Sequence, residues 1–244
     1  MNVDEIILWT TSSSVVFQLI AKVSTGILKR LVPTWNITDE TKEKVTGVMF
    51  SRYIISTINA IFTGAWGVYK LSLGSSRWIT PYGNNEVVSI MNGYFLADFL
   101  LDDWTSDLSN VFHHVIGLSS ITGLLLGNIG ETFMPDVQLM EISTFLLNMM
   151  WFMRTFNKTN NTSYKCISVL FLITFFILRI IYYPYVLLKI CFDYPHEWIK
   201  LNLFMKCVIW SLWVLQVYWF RKIVALAKKS FQQKPDESKE NKQK

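Results

Sequence analysis

Seven ionisable side chains within or beside apolar stretches are the residues with most chemistry to offer: Arg52, Asp98, Asp102, His113, His114, Glu141 and Arg179. A charge in hydrocarbon costs about 2.5–3.5 kcal/mol on the insertion scale, so each is a functional candidate. Tyr94, Asp98 and Asp102 are spaced four apart and share one helix face. His113 and His114 are adjacent and point about 100° apart on a helix, so only one can aim straight into a shared cavity. A neutral imidazole oriented by Asp98 or Asp102 can serve as a general base or accept an acyl group, which suits acyl transfer from a thioester to an amine or hydroxyl lipid. The reading without chemistry is an interior histidine with a satisfied partner beside one at an interface.

The seven fall at two depths. Arg52, Asp98, Asp102, His113 and His114 lie near one end of their segments. Glu141 and Arg179, counted from opposite ends of antiparallel helices, each lie about 18–21 Å from that boundary. Equal depth and opposite sign predict an ion pair, which would be either a brace between helices or a clamp for a substrate headgroup. Asn148 stands two turns from Glu141 on the same face, so the expected cavity lining is Arg52, Tyr94, Asp102, Glu141, Asn148 and Arg179.

Holding such groups requires membrane-spanning helices. The 244 residues are 51% hydrophobic, 15% aromatic and 17% charged, whereas a soluble domain is about a quarter charged. A spanning helix needs about 20 mostly apolar residues. Seven segments qualify, near 5–27, 46–71, 87–101, 110–127, 134–153, 166–192 and 201–223, with six to eight as the bounds. The fold class is all-α and polytopic. The first segment is interrupted by hydroxyls at 10–14 and has an interfacial helix as its alternative; the third is short and carries an acid. Trp9, Trp78, Tyr82, Trp104, Tyr194 and Trp198 read as interfacial anchors.

Orientation follows from the cations. With seven crossings, one set of loops holds Lys22, Lys29, Arg30, Lys42, Lys44, Arg154, Lys158 and Lys165, while the opposite set holds little beyond Arg77 and Lys200. The positive-inside rule then puts the C-terminus in the cytosol. The sequons at Asn36, Asn157, Asn160 and Asn161 would face the cytosol and stay unmodified. From Arg221 onward there are eight basic and three acidic residues, which accounts for the whole net charge of +5. A basic tail on an apolar body suits an anionic membrane surface and says little about nucleic acid. Residues 225–244 read as a disordered cytosolic tail, and Lys242 narrowly misses a dilysine retrieval signal. Cys166, Cys191 and Cys207 form no metal-ligand or disulfide pattern, and no glycine-rich nucleotide loop or nucleophile elbow is present, so no cofactor or metal is expected. No cleavable signal peptide is evident, since Asp4 and Glu5 replace its basic start.

Several strings resemble the TLC-domain family. They are Ser51-Arg52-Tyr53-Ile54-Ile55-Ser56-Thr57-Ile58-Asn59-Ala60-Ile61, Gly93-Tyr94-Phe95-Leu96-Ala97-Asp98, Phe112-His113-His114, Glu141-Ile142-Ser143-Thr144, Trp151-Phe152 and Phe176-Ile177-Leu178-Arg179-Ile180. The likeness runs from about 45 to 224, after an N-terminal helix and loop at 1–44. It is nearest to the small TLC domain-containing proteins and more distant from the ceramide synthases. Asn59, Phe145 and Met150 stand where small members of the family commonly have histidine, proline and arginine. The resemblance implies a compact barrel-like helix bundle around a lipid-sized cavity, in the endoplasmic reticulum or a connected membrane. It also implies, from the ceramide synthases, a catalytic role for His113 and His114. The expected function is membrane lipid homeostasis with membrane lipids as partners. The alternatives are a lipid N- or O-acyltransferase that uses acyl-CoA, and a cargo-sorting receptor.

Overall fold

The structure, a computed structural model, describes residues 2–73, 85–102, 108–127 and 130–232. Helix α1 (Val3–Leu31) starts at a capping box: Asn2 accepts from the Glu5 amide, and the Glu5 carboxylate accepts from the Asn2 amide. These bonds satisfy donors that a helix start otherwise leaves orphaned. Asp4 and Glu5 sit in its first turn and Lys29 and Arg30 in its last, each sign matching the helix dipole. The hydroxyls at 10–14 do not break it. Ser13 and Ser14 are buried, and Thr11 returns its hydroxyl to the Ile7 carbonyl at 2.7 Å.

The short helix α2 (Asp39–Thr46) is capped by Thr38, and it meets α3 (Val48–Ser72) at Gly47 with a bend of 56°. Then come α4 (Asn85–Leu101), α5 (Leu108–Leu126), α6 (Gly130–Leu139) and α7 (Glu141–Thr155). Helix α8 (Thr162–Phe175) runs through a π-helical stretch, Phe176–Tyr182, into α9 (Tyr183–Asp193). The short α10 (Pro195–Lys200) and the long α11 (Leu203–Gln232) complete the chain. No strand occurs among the described residues.

The protein is an all-α membrane protein. Its apolar side chains point outward, among them Val15, Val16, Leu19 and Val23 of α1, Val169, Leu170 and Ile173 of α8, and Val214 of α11, while Ser51, Asn59, Thr63, Gln138, Ser143 and Asn148 are buried. Hydrocarbon solvates the outer set, and polar groups must find partners inside. Four helical stretches are long and apolar enough to cross a bilayer alone: Val3–Thr34, Leu108–Leu126, Thr162–Asp193 and Leu203–Lys228; the bent α2–α3 pair makes a fifth. The seven segments expected from sequence include two that fall short. Helix α4 has only 17 residues. The segment near 134–153 is not one helix but two, divided at Met140, with Pro135 inside the first.

Helices α3, α4, α5, α11, α8 and α7 form a ring in that order, with α1 packed outside against α4 and α3. Two glycines allow the closest backbone approaches. A Cβ at Gly93 would lie 2.6 Å from the Thr10 carbonyl of α1, and one at Gly67 2.6 Å from the Leu139 amide of α6. Ser89, Gly93 and Ala97, four apart and all buried, give α4 the small-residue stripe by which membrane helices meet. Helix α11 continues to Gln232, past the tail boundary expected at 225. The rest of that tail with Lys242, the anchors Trp78, Tyr82 and Trp104, and Arg77 lie outside the described residues.

Candidate functional site

The ring encloses a cavity of about 460 Å³, and all nine residues singled out from sequence line it: Arg52, Tyr94, Asp98, Asp102, His113, His114, Glu141, Asn148 and Arg179. The two depths are therefore two layers of one chamber.

The outer layer, near the end bearing the cationic loops, is a charge network. Arg52 Nε donates to Asp98 Oδ1 at 2.8 Å and Nη2 donates to Asp98 Oδ2 at 3.3 Å, while Nη1 donates to Asp102. Asn110 Nδ2 donates to the other Asp102 oxygen at 2.8 Å. One guanidinium against two carboxylates leaves one net negative charge, with His114 Nε2 3.1 Å from Asp98 Oδ2. His114 is buried, and Asp98 is the acid that faces it. Asp98 and Asp102 both reach the site because one helical turn separates them, as the spacing predicts.

His113 is placed differently. Its Nδ1 has no hydrogen-bond partner among the described residues, and its ring stands edge-on to Trp219 with centroids 5.1 Å apart. Phe95 flanks both histidines, with centroids at 5.5 and 6.0 Å. His114 thus lies beside a carboxylate and His113 among aromatic rings, and Nδ1 of each has no hydrogen-bond partner among the described residues.

The inner layer holds the expected ion pair, but at long range: Glu141 and Arg179 approach to 4.0 Å. The guanidinium is bonded instead by neutral oxygens: Ser143 Oγ at 2.7 Å, Thr144 Oγ1 at 2.7 Å, Gln216 Oε1 at 3.1 Å and the Met140 carbonyl at 3.3 Å. The break before α7 exposes the Met140 carbonyl, and the π-helical stretch carries Arg179 toward it. Such local widenings cluster at functional sites. Pro184 cannot donate to the turn before it, and the Ile180 carbonyl one turn back accepts the Trp213 indole N–H at 3.4 Å. Asn148 Nδ2 donates to Ser56 Oγ at 3.0 Å.

Phe95, His113, Glu141 and Arg179 also line a smaller apolar cavity of about 60 Å³, which continues toward the other end between Met91, Ile121, Phe133, Met134 and Leu212. Among the described residues no group of three His, Cys, Asp or Glu is placed to hold a metal ion. Sequence reasoning missed Ser143, Thr144, Gln216 and Trp219. A glutamine within the last apolar segment was a readable signal; Trp219 differs in no visible way from the other tryptophans of α11.

The family model of the TLC domain matches residues 49–225, well over half of the chain. No curated protein matches it.

Proposed function

This chain belongs to the TLC-domain family, and from that premise we propose that it binds a membrane lipid in the chamber and acts in membrane lipid homeostasis. The coarser statement, an integral multi-pass membrane protein linked to lipid metabolism or homeostasis, comes with the family. One observation carries the finer one. A chamber of about 460 Å³ is within the range of about 300–1,000 Å³ typical of small-molecule sites, and its polar walls back onto a small apolar cavity across Phe95, His113, Glu141 and Arg179. A lipid has that same division between headgroup and chain. The residence is an endoplasmic-reticulum membrane or one connected with it, with the cationic loops and the end of α11 in the cytosol.

A second reading, acyl transfer from acyl-CoA to a lipid amine or hydroxyl, is favoured by the unlike histidines. His113 Nδ1 has no hydrogen-bond partner among the described residues, and His114 has a carboxylate 3.1 Å away. In that reaction an imidazole nitrogen attacks the thioester carbonyl and the thiolate leaves with a proton. The lipid nucleophile then takes the acyl group and the imidazole is restored.

The test is lipidomics of cells expressing wild type, the His113→Ala/His114→Ala double variant or an empty vector, at matched protein levels. A shift in membrane composition shared by both proteins supports the binding reading. An acyl lipid made only by wild type, and reproduced by purified protein with acyl-CoA, would replace that reading with the transferase.

A further inference from the structure

The helix seams are not alike. Where α3 meets α6 at Gly67 and α4 meets α1 at Gly93, both off the ring, the helices touch backbone to backbone. Between α8 and α11 the backbones stand apart and side chains alone close the gap. Phe175 at the end of α8 and Phe176 at the start of the π-helical stretch stack on Phe220 of α11, with centroids 6.2 and 5.4 Å apart. Phe171 from one side and Trp219 and Ile223 from the other complete the closure, and all three line the chamber. Beyond Phe171, toward the cationic loops, Val169 and Leu170 are exposed, as is Leu226 across the seam. That seam is therefore a wall of rotatable side chains facing hydrocarbon, one layer thick, over a lipid-sized space.

The charge beside it has a single sign. From the end of α7 to the start of α8 the cations are Arg154, Lys158 and Lys165, with no acid between them. The last turns of α11 carry Arg221, Lys222, Lys228 and Lys229, again with no acid, and Lys222 lines the chamber. Helix α2, on another side of the ring, mixes Asp39, Glu40 and Glu43 with Lys42 and Lys44.

We propose that the α8–α11 seam is a lateral portal through which an anionic phospholipid of the cytosolic leaflet reaches the chamber, its phosphate drawn by Lys165, Lys222 and Lys228. This rests on the lipid-binding reading and adds the route and the headgroup charge. The side chains of Phe171, Ile223 and Phe220 turn aside to admit the chains, and the backbones need not part. Neutral lipids meet the same apolar wall but lack the attraction at its rim.

The pairs Arg179–Gln216 and Phe175–Phe220 fix the antiparallel register of the two helices. Continuing it puts Leu170 level with Ala225, both exposed. The test uses full-length protein with Cys166, Cys191 and Cys207 changed to serine and with Leu170→Cys and Ala225→Cys, purified into nanodiscs. A reducible bis-maleimide tethers the new pair, and photoactivatable phosphatidic acid or phosphatidylcholine reports occupancy by crosslinks mapped to Phe95, His113 or Arg179. The expected result is loss of chamber labelling on tethering, with recovery on reduction. In the untethered protein, preference for phosphatidic acid should fall about fivefold for each of Lys165, Lys222 and Lys228 changed to glutamine. Undiminished labelling of the tethered protein overturns the portal and leaves lipid binding standing. Equal labelling by both lipids overturns the charge selection, and no chamber labelling of any protein overturns the binding reading and the portal together.

Discussion

The Arg52 network makes an asymmetric prediction. One guanidinium serves two carboxylates, so removing the cation leaves two buried negative charges side by side, whereas neutralising Asp98 leaves one matched pair with Asp102. Breaking a buried pair by taking away one partner costs about 3–5 kcal/mol. Arg52→Gln takes its cation from both acids at once and belongs at the upper end of that range. Asp98→Asn keeps the shape, retains an acceptor for Arg52 and relieves the excess charge, so its expected cost is about 1 kcal/mol, that of a weakened hydrogen bond. For a chain of this size each kcal/mol is worth roughly 2–4 °C in midpoint, which puts the two variants about 6–16 °C apart in detergent. Thermal unfolding can be followed by intrinsic tryptophan fluorescence, since Cys166 and Cys207 are already exposed in the folded chain. The double variant returns the cluster to a single net charge and should be more stable than Arg52→Gln alone, a coupling that a double-mutant cycle isolates. Equal losses from the two single variants, or a double variant worse than their sum, would refute the charge argument.

Three further outcomes follow from the packing and topology. Gly93→Val forces a three-carbon isopropyl group against the Thr10 carbonyl, an overpacking expected to cost about 1–3 kcal/mol, whereas Gly26→Val, which has open space around it, should change the same melting midpoint far less. Trp213→Phe strands the Ile180 carbonyl beside Pro184, and a loss of about 1–3 kcal/mol is expected in that assay; no loss would mean the carbonyl finds another donor. The sequons at Asn36, Asn157, Asn160 and Asn161 should give no mobility shift on glycosidase treatment, and a shift would invert the proposed orientation.

The chamber was legible because its occupants break the surrounding pattern: a charge in hydrocarbon is conspicuous, and Arg52, Asp98, Asp102, Glu141 and Arg179 could be picked out and sorted by depth from helix rise alone. The exact partners were less legible. Matching depth placed Glu141 near Arg179 but could not foresee that Ser143, Thr144 and the Met140 carbonyl would supply the bonds. That choice depends on the helix break at Met140 and on a π-helical stretch, and neither has a sequence signature of its own. Pro135 and Pro184 tell only that a helical turn is disturbed, not how the neighbouring carbonyls are then satisfied. The hydroxyls at 10–14 weakened the reading of α1 as a span. They are instead the small surface that admits α4, a property of the pair that neither helix shows alone.

The contact between α1 and α4 bears on how the chain is made as well as on how it stands. Helix α4 is 17 residues long and carries Asn85, Glu86, Asn92 and Asp98, so it is a poor candidate to leave the translocon unaided. Helix α1 emerges first, is strongly apolar on its outer side, and offers α4 a ready-made seat at Thr10 and Ser13. It lies before residue 49, outside the stretch that defines the family. A chain begun at residue 49 should therefore fail at insertion, with a reporter placed after α4 retained on the wrong side of the membrane, and supplying α1 as a separate polypeptide should restore it. On this account the N-terminal helix acts as a tethered chaperone for the third crossing, and the minimal unit of biogenesis is larger than the domain.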